Sequence, residues 1–283
     1  MRLGSAVNGA SLLSALLTGA AILGMFSRFS CGSPDAGFVG LEVEGVDTLS
    51  ITVVYDNYQV DPRLTTSWGF ACVVASPSHT VLFDTGGNGS ILLSNMEKLG
   101  IAPEDIDIVV ISHIHGDHVG GLAGFLERNG DVRAYIPSSF PNSIRTEITS
   151  HGAEYQDVDS AQHIAGVFYS TGEMGTSIRE QSLVLHSERG IAVITGCAHP
   201  GIVEITAKAG QMFPSAGICL VMGGFHLVGA SDSQLRSIAT QMRRLGVEKI
   251  APSHCSGDRC REVFREEYGE GYIESGVGRK VGL

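Results

Sequence analysis

No cluster of lysine and arginine occurs anywhere in the chain, and 19 basic side chains face 30 acidic ones, for a formal charge of −11. Gripping a phosphate backbone by counterion release needs a basic face, so nucleic acid is not expected as a partner. The six cysteines, at 31, 72, 197, 219, 255 and 260, include no CxxC pair, which argues against the usual structural zinc frameworks. Cys72 and Cys219 lie in apolar runs and read as core residues. Cys255 and Cys260 fit either a disulfide in an exported protein or two free thiols. Charged residues make up only 17% against 43% hydrophobic, a balance that excludes disorder and supplies a substantial core. With no internal repeat and no long linker, residues 46–283 read as one domain.

The first 45 residues are different in character. Arg2 precedes an uncharged, mostly apolar stretch from Ala6 to Phe26, followed by Arg28, Cys31 and the loop-like Gly32-Ser33-Pro34-Asp35. One basic residue, an apolar core and small residues beyond it suggest a signal peptide or an N-terminal membrane anchor with a linker. The uncharged span approaches the ~20 residues that cross a bilayer. The expected location is therefore exported or membrane-anchored, with membrane association through this segment; without a targeting role for it, the location is cytoplasmic.

From residue 47 onward strands alternate with helices. Leu49–Tyr55, Phe70–Val74, Thr80–Phe83 and the β-branched run Ile106–Ile111 read as strands, and Ile91–Leu99 as a helix stopped by Gly100. Later strands are expected at Ser182–His186, Ile191–Thr195, Gly217–Met222 and Lys249–Pro252. Ser231–Leu245 reads as a helix capped by Ser231 or Asp232 and stopped by Gly246. The stretch from 130 to 180 is weakly patterned and reads as short strands with substrate-side loops.

The histidines carry the chemistry. His113, His115, Asp117 and His118 follow the strand ending at Ile111, and Cys197 and His199 follow the strand ending at Thr195. His226 follows Met222 and His254 follows Ile250-Ala251. Six of the ten histidines thus sit just past the carboxyl ends of four strands, the edge where layered α/β folds hold ligands. Neutral imidazoles beside a carboxylate suit zinc, manganese or iron. A metal there lowers the pKa of bound water to ~7, and two ions ~3.5–4 Å apart would share the resulting hydroxide. Gly116 is expected to permit a tight backbone path, and Gly120-Gly121 a close approach of the next helix. His226 reads as a substrate contact or proton carrier, and Asp117 as both ligand and proton carrier. Glu173 and Gln181 read by default as solvated loop residues, with a place facing the site as the alternative; Tyr55 and Trp68 fit either a pocket wall or core packing.

His113-x-His115-x-Asp117-His118 after a buried strand resembles the signature of the metallo-β-lactamase superfamily. The resemblance implies an α/β, four-layer αββα sandwich over about residues 47–280. Phe83-Asp84-Thr85-Gly86 looks like an earlier motif of that superfamily, with Asp84 orienting the metal loop. Pro252-Ser253-His254 looks like its last, where the histidine binds a second metal. Thr195-Gly196-Cys197-Ala198-His199-Pro200, Gly223-Gly224-Phe225-His226 and His254-Cys255-Ser256-Gly257 resemble the subfamily named for the archaeal dihydropterin-methyl-ribofuranosylaminobenzene 5′-phosphate synthase. Gly116 stands where an aromatic residue is common in that subfamily. Gly196-Cys197 occupies the place of a bridging aspartate in many superfamily members, so Cys197 is either a thiolate ligand or a buried thiol.

The resemblance implies metal ligands at His113, His115, Asp117, His118, His199 and His254, with Cys197 as a further candidate. One or two zinc ions are expected, with manganese or iron as alternatives. The implied activity is hydrolysis of a small ester, lactone, thioester or phosphoester by a metal-bound hydroxide. The alternatives are a pterin-type condensation and a metal-dependent binding or sensing module with little turnover.

Overall fold

The computed structural model describes residues 49–283; the expected signal or anchor within residues 1–45 lies outside them. The first sheet begins with β1 (Ser50–Asp56), β2 (Phe70–Ala75) and β3 (Thr80–Phe83), paired antiparallel. It continues with β4 (Ile108–Val110), β5 (Arg133–Pro137) and β6 (Glu154–Val158), each parallel to its predecessor. The second sheet contains β7 (Ser160–Ala165), β8 (Phe168–Gly172), β9 (Leu183–Ser187) and β10 (Gly190–Thr195), antiparallel in turn. β11 (Ile218–Gly224) and β12 (Val247–Ser253) extend it in parallel from β10. β13 (Lys280–Gly282) returns to the first sheet and pairs with β1.

Strand alternation places three apolar layers. Ile51, Val53, Cys72, Val74, Val81 and Phe83 of the first sheet pack with Leu183, Leu185, Ala192, Ile194, Leu220 and Met222 of the second. On the outer face of the first sheet, Val54, Val73, Leu82 and Val109 meet Leu92 and Met96 of α1 (Gly89–Leu99). The short α2 (Gly116–Val119) leads into α3 (Leu122–Leu126), whose Leu122 and Phe125 join the same layer. α4 (Asn142–Ser150) adds Ile148 to it. On the outer face of the second sheet, Val184, Val193 and Val221 meet α5 (Ile202–Met212), α6 (Asp232–Arg244) and α7 (Asp258–Tyr268). The result is the αββα order that the resemblance implies.

Several local expectations are corrected. The stretch from 130 to 180 supplies the expected short strands, β5, β6, β7 and β8, but also a helix, α4, that was not expected. Its pattern is weak because β6 and β7 are sheet edges with exposed polar positions such as Glu154, Gln156 and Ser160. The run Ile106–Ile111 pairs only over Ile108–Val110, after a 3₁₀ turn at Pro103–Asp105. By contrast, α6 starts as read: Ser231 and Gln234 form a reciprocal capping box, and Gly246 follows at φ 83°. Among the described residues no helix is long and apolar enough to cross a membrane. Cys72, Cys197, Cys219, Cys255 and Cys260 are all buried free thiols.

Candidate metal centre

Five strands deliver the site from their carboxyl ends. β3 runs into Asp84, β4 into His113–His118, β10 into Cys197–His199, β11 into His226 and β12 into His254. The Asp84 carboxylate is fully buried and organises the loop after β4. It accepts the Ser112 N–H (2.7 Å) and hydroxyl (2.8 Å), and His118 Nδ1 donates to it at 2.7 Å. The Thr85 hydroxyl donates to the His118 carbonyl at 2.8 Å, which pins the short α2 against the end of β3. Here Gly121 is needed for close approach, since a Cβ on it would lie 2.1 Å from the Thr85 carbonyl oxygen. Gly116 is not: nothing lies within 4 Å of where its Cβ would be, and its φ is not positive. The backbone path at Gly116 therefore does not require glycine, and a Cβ there would stand in open space.

Hydrogen bonds fix which ring nitrogens are free. The Ser112 hydroxyl donates to Asp84, so His113 Nδ1 donates to Ser112 Oγ at 2.9 Å and leaves Nε2 as the bare nitrogen. His118 is fixed in the same sense by Asp84. His254 Nδ1 donates to Asn57 Oδ1 at 2.9 Å. Its Nε2 is buried without a hydrogen-bond partner, although an Asp117 oxygen lies 3.2 Å away.

The free atoms converge in two adjoining groups. In the first, His113 Nε2 and His115 Nδ1 are 3.1 Å apart, and His199 Nε2 is 3.3 Å from His115 Nδ1. The second comprises Asp117, His118, Cys197 and His254, with Cys197 Sγ 3.2 Å from His118 Nε2. Within each group all donor atoms lie within 4.8 Å of one another. Cys197 and His199 also form a third such group with His226, whose exposed ring lies 4.5 Å from that of His199. The geometry therefore assembles all seven residues expected to hold metal, and it adds His226 as a potential donor.

Electrostatics favour the ligand forms of His113, His199 and Asp117, and the protonated form of His118. Burial, helped by the neighbouring imidazoles, holds His113 far below the ordinary histidine value and His199 down to about 4, which keeps both rings neutral. Burial pushes the Asp117 carboxyl up, but the adjoining imidazoles of His254 and His118 outweigh it. Asp117 is therefore held below the usual carboxylate range. For His118, burial is outweighed by the Asp84 charge and hydrogen bond, which raise it. Ring nitrogens converging within 3.3 Å of one another and an orphaned buried His254 nitrogen fit a divalent cation. Three imidazoles on one side, and two imidazoles, a carboxylate and a thiol on the other, match its chemistry.

Backbone strain concentrates here. The non-glycine residues at positive φ among the described residues are Asp84, Ala198, His226 and His254, at 57°, 58°, 53° and 47°. Each costs on the order of 1–3 kcal/mol, and each is a site residue or lies between two.

Two residues were misread or unremarked in the sequence. Gln181 is fully buried, not solvated: its amide donates to the Ile111 and Tyr135 carbonyls at 2.9 and 3.1 Å. Glu180 is 1% exposed and accepts backbone N–H groups from Gly196 through His199. No local spacing marks it, because its partners lie 16 to 19 residues away. Glu173 is tied to Arg179 at 3.1 Å and to the Ser139 N–H at 2.6 Å, outside the donor groups. Of the two aromatics, Tyr55 is buried, while Trp68 is 55% exposed with its ring 4.7 Å from that of His254.

A family model described as the metallo-beta-lactamase superfamily matches residues 69–254. The chain belongs to that superfamily. It is 28% identical over 246 residues to the 7,8-dihydropterin-6-methyl-4-(beta-D-ribofuranosyl)-aminobenzene-5′-phosphate synthase of Methanocaldococcus jannaschii, covering 71% of this chain and 83% of the relative. A crystal structure of a metal-dependent hydrolase of the beta-lactamase superfamily superposes with a TM-score of 0.70 at 27% identity, over 83% of this chain and 99% of the other. The short form of human tRNase Z superposes with a TM-score of 0.57 over 82% of this chain and 98% of the other; at 15% identity the likeness is one of fold.

Proposed function

We propose that this superfamily member is a metal-dependent hydrolase, with zinc as its metal, acting on a small ester, lactone, thioester or phosphoester. The observation that carries the reading is the pair of adjoining donor groups, His113/His115/His199 and Asp117/His118/Cys197/His254. They would hold one ion or two, and the thiol of Cys197 favours zinc over harder cations. Bound there, a divalent cation supplies Lewis acidity and activates water at neutral pH. Asp117, partly buried beside His118 and His254, stays ionised and is placed to take up a proton at its free carboxylate oxygen. His226, exposed at the rim, is placed to pass a proton between the site and solvent. A cavity of about 310 Å³ opens beside His199 and His226, with Ile202, Val203, Phe225 and Leu227 among its walls. Its size supports a small molecule as substrate.

Metal analysis of the purified protein, run with an ester, lactone, thioester and phosphodiester panel, tests the reading. Full activity after metal removal would sink it, and stable metal loading without turnover would favour a binding or sensing role. A second reading is supported by the 28% identity to the synthase, namely condensation on a phosphorylated ribose substrate. Incubation with a pterin diphosphate and an aminobenzene ribotide separates the two, since hydrolysis alone leaves no coupled product.

A further inference from the structure

Glu180 touches none of the site's ring nitrogens, yet it meets more of the site's backbone than any other carboxylate described above. Its Oε1 accepts N–H groups from Gly196 (3.1 Å), Cys197 (2.9 Å) and Ala198 (2.9 Å), and its Oε2 accepts the His199 N–H (2.8 Å). Four consecutive N–H groups directed at one carboxyl group form a nest. The turn that makes it carries two donors and holds Ala198 at φ 58°, a conformation an alanine does not adopt unaided. Left without this carboxyl group, those N–H groups would lose their partner, the buried ones at a cost of desolvation. Gly196 completes the fit, because a Cβ there would lie 2.1 Å from Ser112 Oγ.

The residue after Glu180 grips the other side of the site. The Gln181 N–H donates to the Ser112 carbonyl at 2.9 Å, and its side-chain amide holds Ile111 and Tyr135. Glu180 itself is fixed by a two-way backbone pairing with Met174. One dipeptide thus joins the loop carrying His113–His118 to the turn carrying Cys197 and His199.

We propose that Glu180, braced by Gln181, is a positioning residue that sets the separation of the two donor segments and thereby the affinity and geometry of the metal centre. The proposal rests on the reading of the site as metal-binding. Residues that orient ligands in this way typically change metal affinity by ~10–100-fold when replaced.

The test is Co²⁺ titration of full-length wild type and Glu180→Gln, read by equilibrium dialysis and by the electronic absorption of bound Co²⁺, with amide exchange at residues 196–199 measured in the metal-free proteins. Gln keeps the size of the side chain but turns an N–H donor toward the nest. The expected result is Co²⁺ binding weakened ~10–100-fold, an altered thiolate-to-Co²⁺ band and faster exchange at 196–199, with cooperative unfolding retained. Unchanged affinity and an unchanged band would overturn the proposal. Should Glu180→Gln fail to fold, Glu180→Asp, too short to reach all four N–H groups, is held to the same criteria. Wild type that binds no Co²⁺ would defeat the metalloenzyme reading instead, and amide exchange would then decide the role of Glu180: unchanged protection at 196–199 in the variant refutes it.

Discussion

The loop after β4 and the turn after β10 contribute to one centre but are built in opposite ways. The first packs His113, His115, Asp117 and His118 into six residues behind one strand, with Asp84 as its main brace. The second contributes Cys197 and His199, and its backbone is shaped by a carboxylate that arrives from the segment before β9. A donor set written within a turn of chain survives as a motif. One that depends on a distant partner leaves no spacing to read.

If this contrast is real, the two arms should fail differently. The largest effect is expected from His115→Ala or Asp117→Ala, which should remove bound metal and lower activity ~10³-fold or more together. Metal analysis with kinetics on the same samples checks it, and full activity without metal would contradict it. His226→Ala should lower kcat by about 10²-fold with metal content unchanged; a loss of metal would move His226 from proton transfer into the donor set. Asp84→Asn should weaken metal binding by ~10–100-fold, measured by competition with a chelating dye, because it frees the His118 ring and the Ser112 loop. Cys197→Ser should sit at the mild end, about tenfold in affinity, with a shifted metal preference. Equal losses from Cys197→Ser and His115→Ala would erase the distinction between the arms.

The smallest consequence for chemistry concerns Asp56, buried beneath the His254 loop, where the Ser253 hydroxyl donates to its carboxylate. Burial pushes its carboxyl up to about 6, so the fold favours the protonated form. Its contribution to stability is therefore complete below the ~4 of an ordinary aspartate and is lost as pH rises through 6. Between pH 4 and 6, metal-free wild type should lose about 2 kcal/mol relative to Asp56→Asn in urea unfolding. Parallel stability curves for the two proteins would show that this carboxyl does not titrate with folding.

The sequence made the architecture and the first arm legible for physical reasons. Buried strands such as Ile191–Thr195 and Gly217–Met222 are continuous apolar runs, and helix signals such as Ser231 and Gly246 are local. Edge strands β6 and β7 were illegible because half their positions face water. His199 and His254 could be named because histidines beyond strand ends are conspicuous. Glu180 and Gln181 could not, since adjacent polar residues in a loop look solvated until the tertiary structure encloses them. Gly116 shows the opposite error: a glycine inside a dense motif invites a conformational explanation that its open surroundings do not require.

Both donor groups draw on the two sheets at once. His113 and His115 come from the first sheet and His199 from the second, while Asp117 and His118 from the first face Cys197 and His254 from the second. Any ion seated there is a non-covalent crosslink across the molecule's central seam. A ligand at a hundred times its dissociation constant adds about 2.7 kcal/mol to folding stability, a large share of a typical domain's total. Metal supply would then govern how much of this protein a cell retains, because chains starved of metal open more often and are cleared sooner.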